Sequence, residues 1–556
     1  MTTLDYIVLF GYFISITTFG LWIARRTRTS DAYFRGERKF KWYIMIGQAF
    51  GVGTHAEAPV AQTGAVFGQG FATIWYQWKN MLITPFYWLI APFYRRSERT
   101  TVGEIIEDRY GSRMGLVYSI FAICFFMFNM GVMLQGAAKV ISVASGNLIS
   151  PTMVVLFMTA AFIIYSFAGG LITAAYTDFI QAFLIILLSI MLIPFGLKAV
   201  DGFAGMKAVL PEHFFDVFNS ASGIDGFTIA MLAVNGIVGI TAQPHMVSMC
   251  ATGNTERAGR IGQTFGSMVK RLVTIGWALT GLIVAALVIK NGVTLKDPEM
   301  AFGYACNELL GPGLVGLMLA AIVAANMAAC SNFMVNTGAL FTKNFYKKYI
   351  NPHAADKSLL WMGRYSGLGL AAVGVMFALS IKNVLNAFLF TETLAAFMGI
   401  MFLGGIIWKR ANRYGAGAAV FVSFTVYYIA NYSVAGHLML VYKWLPAPFG
   451  IAMLSGFLVF WLVSILTTPE AKEKTEAFFD NMRRKSDAHE PGPDGKKPLA
   501  SLTGDDLLLL DLPGWMHRER WKNFFKRYRE DISGFLLSWI FVGALIFLAW
   551  GILQIN

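Results

Sequence analysis

Apolar runs of about 20 residues, the length that crosses a hydrocarbon core of roughly 30 Å, recur along most of the 556-residue chain. Fourteen are distinguished, at 4–24, 42–66, 70–95, 114–141, 152–168, 173–197, 228–251, 268–290, 311–342, 364–382, 386–408, 415–433, 447–467 and 533–553. The pattern predicts an all-α, polytopic membrane protein set in a lipid bilayer. Two runs carry helix breakers. The second contains "GVGTHAEAPVAQTG" at 51–64, with Gly51, Gly53 and Pro59, and the seventh contains "NGIVGITAQPHMV", with Gly236, Gly239 and Pro244. Lipid cannot satisfy unwound backbone, so these stretches have to face protein or a watery cavity. They lie five spans apart, the spacing of inverted five-helix repeats whose first helix is broken in each half.

The polar punctuation divides the chain. Residues 1–30 hold a leading helix, 31–410 a core of two repeats (about 42–197 and 228–408), and 411–467 two trailing helices. A polar insert follows at 468–531, and a final helix at 532–556. The insert contains the turn-rich "EPGPDGKKP" and then "WMHRERWKNFFKRYRED", aromatics interleaved with bases. Residues 515–530 are therefore expected on an anionic lipid surface; a solvated connector is the competing reading.

Composition sharpens the class. The chain is 56% hydrophobic and 14% charged, against roughly 25% charged in soluble domains. A net charge of +13 would suggest nucleic acid in a soluble protein, but here the position of charge matters and no nucleic-acid partner is expected. Bases gather after the first run (Arg25, Arg26, Arg28, Arg35, Arg38, Lys39, Lys41) and again at Arg95, Arg96, Arg99, Arg257, Arg260, Lys343, Lys347, Lys348, Lys409, Arg410 and Arg413. Acids mark the opposite loops, 198–227 and 291–310. The positive-inside rule then puts the N-terminus outside a cell membrane, and an even number of spans puts the C-terminus there too. The opening "MTTLDYIVLF" lacks a basic leader and reads as a retained helix. Cys124, Cys250, Cys306 and Cys330 are dispersed without metal spacing and are expected as free thiols. No phosphate-binding loop, nucleophile elbow or zinc motif occurs, so neither an enzyme nor a bound cofactor is expected beyond a coupling ion.

Ionisable groups inside spans are costly and mark function. They are His55, Glu57, Lys79, His245 and Glu392. Lys79 is expected to neutralise Glu57 or Glu392, and His55 with Glu57 forms a candidate proton-exchanging pair. Thr54, His55, Glu57, Trp75, Gln77, Lys79, Gln243 and Glu392 are the candidate contacts for a small polar organic molecule, held by aromatic packing and a few hydrogen bonds. Blander readings stand beside these: His245 as a packing residue, Lys79 snorkelling to an interface, and Asp178 as a helix cap.

Five ordered motifs carry a family resemblance: "APFYRRSERTTVGEIIEDRYGSR", "SFAGGLITAAYTDFIQAFLI", "AQPHM" at 242–246, "GLMLAAIVAANMAACSNFMVNTGALFTKNFYKKY" and "IIWKRANRYGAGAAV". Through almost all of residues 1–467 the chain resembles the sodium:solute symporter family. That resemblance implies the leucine-transporter-like fold, with repeats made of spans 2–6 and 7–11, and symport of a sugar, amino acid, monocarboxylate or vitamin with sodium. It also implies a sodium site built from carbonyls of the first broken helix (near Gly53 and Ala56), from Ala325, and from two adjacent serine positions. Here those positions hold Ala328 and Ala329. Methyl groups supply no oxygen to a hard cation. Ser331 with Asn332 is a shifted alternative, and Thr177 with Asp178 matches a second sodium position of the family. The expected function is cation-coupled symport by alternating access, with proton-coupled or sodium-independent transport through Glu57, His55 and Lys79 as the alternative. A transporter-derived sensor signalling through 468–531 is the competing class. The substrate and the oligomeric state are left open.

Overall fold

The computed structural model describes residues 1–25, 27, 29–146, 148–483, 507–512 and 521–555. Residues 484–506 and 513–520 of the polar insert, which include residues 515–520 of the expected lipid-contact segment, lie outside that set. Among the described residues the architecture is helical, with two isolated bridges, Phe40–Gly253 and Asn219–Ile224. Ten helices among the described residues are long and apolar enough to cross a membrane. The remaining four predicted runs are the broken or short ones.

In chain order the principal helices are α1 (Thr3–Ala24), α2 (Trp42–Gly53), α3 (Glu57–Gln69), α4 (Thr84–Arg96), α5 (Ser112–Ala144), α6 (Pro151–Ile190), α7 (Gly226–Thr241), α8 (Met246–Cys250) and α9 (Glu256–Lys290). They continue with α10 (Leu314–Leu340), α11 (Asp356–Ala378), α12 (Val384–Ile407), α13 (Arg413–Ala435), α14 (Pro446–Leu466) and α15 (Arg529–Leu553). Within α6 the chain reverses at Gly170, whose φ of 59° and ψ of −150° are open to glycine alone. A Cβ there would also sit 2.7 Å from the Tyr33 carbonyl oxygen. The fifth and sixth predicted runs are the two arms of this reversal.

Apolar helices divide into a centre and a rim. The apolar windows of α9 and α10 are 89% buried, against 28% for α1 and 22% for α13, so the first two form the core and the last two its lipid-facing edge. Helix α2 packs between α6 and α9, and α7 against α12, which brings the two interrupted segments together at the centre.

The interruptions fall where the breakers predict, but the breakers act differently. Helix α2 ends at Gly53, Thr54 is extended, and α3 starts at Glu57. Pro59 stands in the first turn of α3, where a missing N–H leaves no intrahelical bond unmade, so it starts a half-helix. Gly236 and Gly239 do not interrupt α7, which runs through both to Thr241; the break is 242–245, at Pro244. Their role is close approach: a Cβ on Gly236 would lie 2.9 Å from the Lys79 carbonyl oxygen, and one on Gly239 3.1 Å from the Ala396 nitrogen.

The eighth run is longer than its hydropathy implies. Thr255 caps the helix by accepting from the Ala258 amide, and α9 starts at Glu256. Lys270 and Arg271 therefore stand about 21 Å into the helix, well inside the bundle.

Candidate functional site

Both breaks open onto one cavity of about 60 Å³. Gly53 and His55 reach it from the first, Gln243 and His245 from the second, Lys270 and Arg271 from α9, and Glu392 from α12. A water occupies about 10–15 Å³ on this measure, so the space holds a few waters, and an organic solute fits only once the surrounding helices part.

The charges around it form two neutral pairs and a surplus. Lys79 Nζ lies 2.7 Å from Glu392 Oε2, with both side chains buried, while Gln243 Nε2 donates to Glu392 Oε1 at 3.0 Å. His55 Nε2 meets the Val52 carbonyl oxygen at 2.7 Å, and His55 Nδ1 meets Glu57 Oε1. A carbonyl only accepts, so Nε2 bears hydrogen, and the Nδ1–Oε1 contact holds one shared proton. The His55–Glu57 pair is neutral whichever atom keeps that proton. Lys270 Nζ donates to the Gly53 carbonyl, and Arg271 Nη1 donates to the Gln77 carbonyl at 3.2 Å with its Nε unpartnered. Lys270 and Arg271 thus leave positive charge at the wall that no carboxylate among the described residues offsets by an ion pair.

The second break is held by two phenols. Tyr94 OH donates to the Thr241 carbonyl, and Tyr118 OH to that of Ala242. The His245 ring lies among Phe125, Phe126 and Phe333, 5.6 Å from the last by centroid, with Nδ1 free of hydrogen bonds.

Other sequence candidates stand behind the wall. Thr54 is buried, with its hydroxyl unpartnered. Trp75 turns away, donating Nε1 to the Val217 carbonyl at 3.1 Å. Gln77 contributes its backbone to Arg271, while Lys79 and Glu57 act through Glu392 and His55.

The residues implied for sodium separate into two groups. At the first break the Gly51 carbonyl accepts from the Thr54 amide (3.2 Å), that of Val52 from His55, and that of Gly53 from Lys270. The Ala56 amide donates to Asn326 Oδ1 at 2.9 Å. Ala325, Ala328 and Ala329 are fully buried and present methyls. A hard cation takes about six oxygens, and this set does not fit one. Beside it, Asp178 Oδ2 accepts from Asn332 Nδ2 at 2.7 Å, while Asp178 Oδ1, Ser331 Oγ and Asn332 Oδ1 are buried without hydrogen-bond partners. Thr177 Oγ1 is turned back onto the Thr173 and Ala174 carbonyls. Unsatisfied buried oxygens are what a cation would complete, so the Asp178 group fits. With seven residues of helix between it and the Gly170 reversal, Asp178 is no cap.

Sequence reading missed Lys270 and Arg271. The signal was the Thr255 start, since a helix drawn from there carries both bases inward.

Two half-helix breaks meeting among buried charges at mid-bundle define the core of a secondary membrane transporter. A profile of the sodium:solute symporter family matches residues 33–422, and the chain belongs to that family. It is a multi-pass transporter, not an enzyme. It is 27% identical over 490 residues to the osmoregulated proline transporter OpuE of Bacillus subtilis, covering 84% of this chain and 96% of OpuE. It is 28% identical to the high-affinity proline transporter PutP of the same organism, covering 83% of this chain and 98% of PutP. In three dimensions it resembles a Na+-coupled sialic acid symporter in a substrate-bound outward-open state, with a TM-score of 0.69 at 19% identity, covering 84% of this chain and 99% of that one. It also resembles the nucleobase-cation-symport transporter Mhp1, with a TM-score of 0.52 at 13% identity, covering 81% of this chain and 99% of that one. At these identities the likeness is one of fold.

Proposed function

We propose that the chain carries a small solute bearing a carboxylate across the cell membrane by cation-coupled symport, with both termini outside. The observation behind this reading is the charge balance at the cavity: two neutral pairs, and then Lys270 and Arg271 in surplus. An anion entering such a site gains charge-assisted hydrogen bonds, and an uncharged sugar leaves Arg271 Nε without an ionic partner. Proline, the solute named for the two Bacillus relatives, has the required carboxylate. The two broken helices supply the hinge around which one bundle rocks against the other.

The coupling cation is cargo, and its candidate ligands are the free oxygens of Asp178, Ser331 and Asn332. A proton is the second reading, favoured by the single proton that His55 and Glu57 share.

Thermal unfolding of the purified protein with a panel of monocarboxylates, L-proline and neutral sugars tests the substrate class. A ligand that binds only the folded state raises the midpoint. The reading expects the shift from carboxylates and its loss in Arg271→Gln. Shifts from neutral sugars alone would reject it.

A further inference from the structure

The resemblance implies a sodium ion at the first break, yet the Gly51, Val52 and Gly53 carbonyls and the Ala56 amide there already have other partners. We propose that the Lys270 ammonium and the Asn326 carboxamide together stand in for that ion, so that the first break is not an exchangeable cation site. The inference rests on the symport reading above and concerns which positions load an ion.

An ion there would do two things: offset the negative end of α2, and tie the break to the neighbouring helix. The C-terminal end of a helix bears about half a negative charge. Lys270 places its ammonium on the last carbonyl of α2, that of Gly53, from a side chain that is 8% exposed.

Asn326 supplies the tie. From α10 its Oδ1 accepts the Ala56 amide at 2.9 Å, and its Nδ2 donates to the Met133 carbonyl of α5 at 2.7 Å. One side chain thus joins the break to α10 and α5, and it is 1% exposed. The Gly51 and Val52 carbonyls accept from the Thr54 amide and from His55 Nε2. Ala328 stands beside Gly51 at the end of α2, its Cβ 3.7 Å from where a Cβ on Gly51 would lie, and it presents a methyl where the resemblance implies a ligating hydroxyl.

A tethered ammonium never dissociates with the solute. The Gly53 carbonyl therefore needs no ion from solution as its partner, and the Asp178 group is left as the exchangeable cation position. The carrier would run with one coupled cation fewer than a relative that loads both.

Counting radioactive sodium bound at saturation to the full-length protein in detergent, with choline as the replacing cation and no solute present, tests this. Wild type is expected to bind no more than one sodium per chain, and Asp178→Asn none. The triple variant Lys270→Met, Ala328→Ser, Ala329→Ser is expected to bind one more than wild type. Two sodium ions on wild type, one surviving in Asp178→Asn, or an unchanged count in the triple variant would each overturn the proposal. Because no solute is present, failure to move any carboxylate would reject the transport reading and leave the sodium count standing.

Discussion

Lys79 and Glu392, 313 residues apart in sequence, meet at 2.7 Å in the middle of the bundle, and Gln243 from the second break donates to the same carboxylate. The pair fixes the wall of the cavity that faces α12. Removing one partner of a buried pair costs about 3–5 kcal/mol, whereas removing both charges together costs far less. Lys79→Met or Glu392→Gln alone should lower the unfolding midpoint in detergent sharply, with the double variant recovering most of the loss. Additive losses would show that the two side chains do not depend on one another.

Gly136 of α5 carries the first break on its surface. A Cβ there would meet Glu57 Cα at 2.7 Å and Glu57 N at 3.1 Å, both in the start of α3. Overpacking of this kind costs typically 1–3 kcal/mol. Gly136→Ala is expected to displace α3, lowering both the unfolding midpoint and solute uptake; uptake equal to wild type would mean that α3 tolerates the shift.

Glu299 joins three elements at one end of the bundle. Its carboxylate accepts from the Val384 and Leu385 amides at the start of α12 and from Lys139 Nζ at 2.5 Å. Hydrogen bonds to a charged group contribute about 1.5–3 kcal/mol. Glu299→Ala should speed hydrogen exchange at the amides of 384–388 by tenfold or more. Unchanged protection there would assign the helix start to other contacts.

Asp225 caps α7 from outside the span, accepting from the Thr228 amide at 2.8 Å. These hydrogen bonds hold its carboxyl below the ordinary aspartate range. A depressed pKa gives stabilisation that is present above the unfolded value, near 3.9, and lost as pH falls through the folded one. Protection of the first amides of α7, relative to their intrinsic exchange at each pH, should therefore be constant through neutral pH and fall only in strong acid, with Asp225→Ala already unprotected at neutral pH. Equal rates in both proteins would remove the cap.

Glycine and proline made the two breaks legible, because unwound backbone inside a bilayer needs a purpose and breakers five spans apart share one. The pairing of Lys79 was legible as a choice between two carboxylates; that Glu392 holds it needed the approach of α7 to α12. What stayed hidden depended on depth. Lys270 and Arg271 fall in the first turn of the 268–290 run, and hydropathy places bases at such an end at an interface until the Thr255 cap extends the helix under them. Gly236 and Gly239 read as breakers because sequence does not distinguish a glycine that bends a helix from one that admits a neighbour.

Uptake of radiolabelled L-proline and small monocarboxylates into proteoliposomes, compared between wild type and Arg271→Gln, tests the central claim most directly. Wild type is expected to show saturable uptake of at least one carboxylate and, with a charged hydrogen bond gone, Arg271→Gln a fall of about tenfold or more. Uptake of a neutral sugar with every carboxylate ignored, or carboxylate flux indifferent to Arg271, would contradict it.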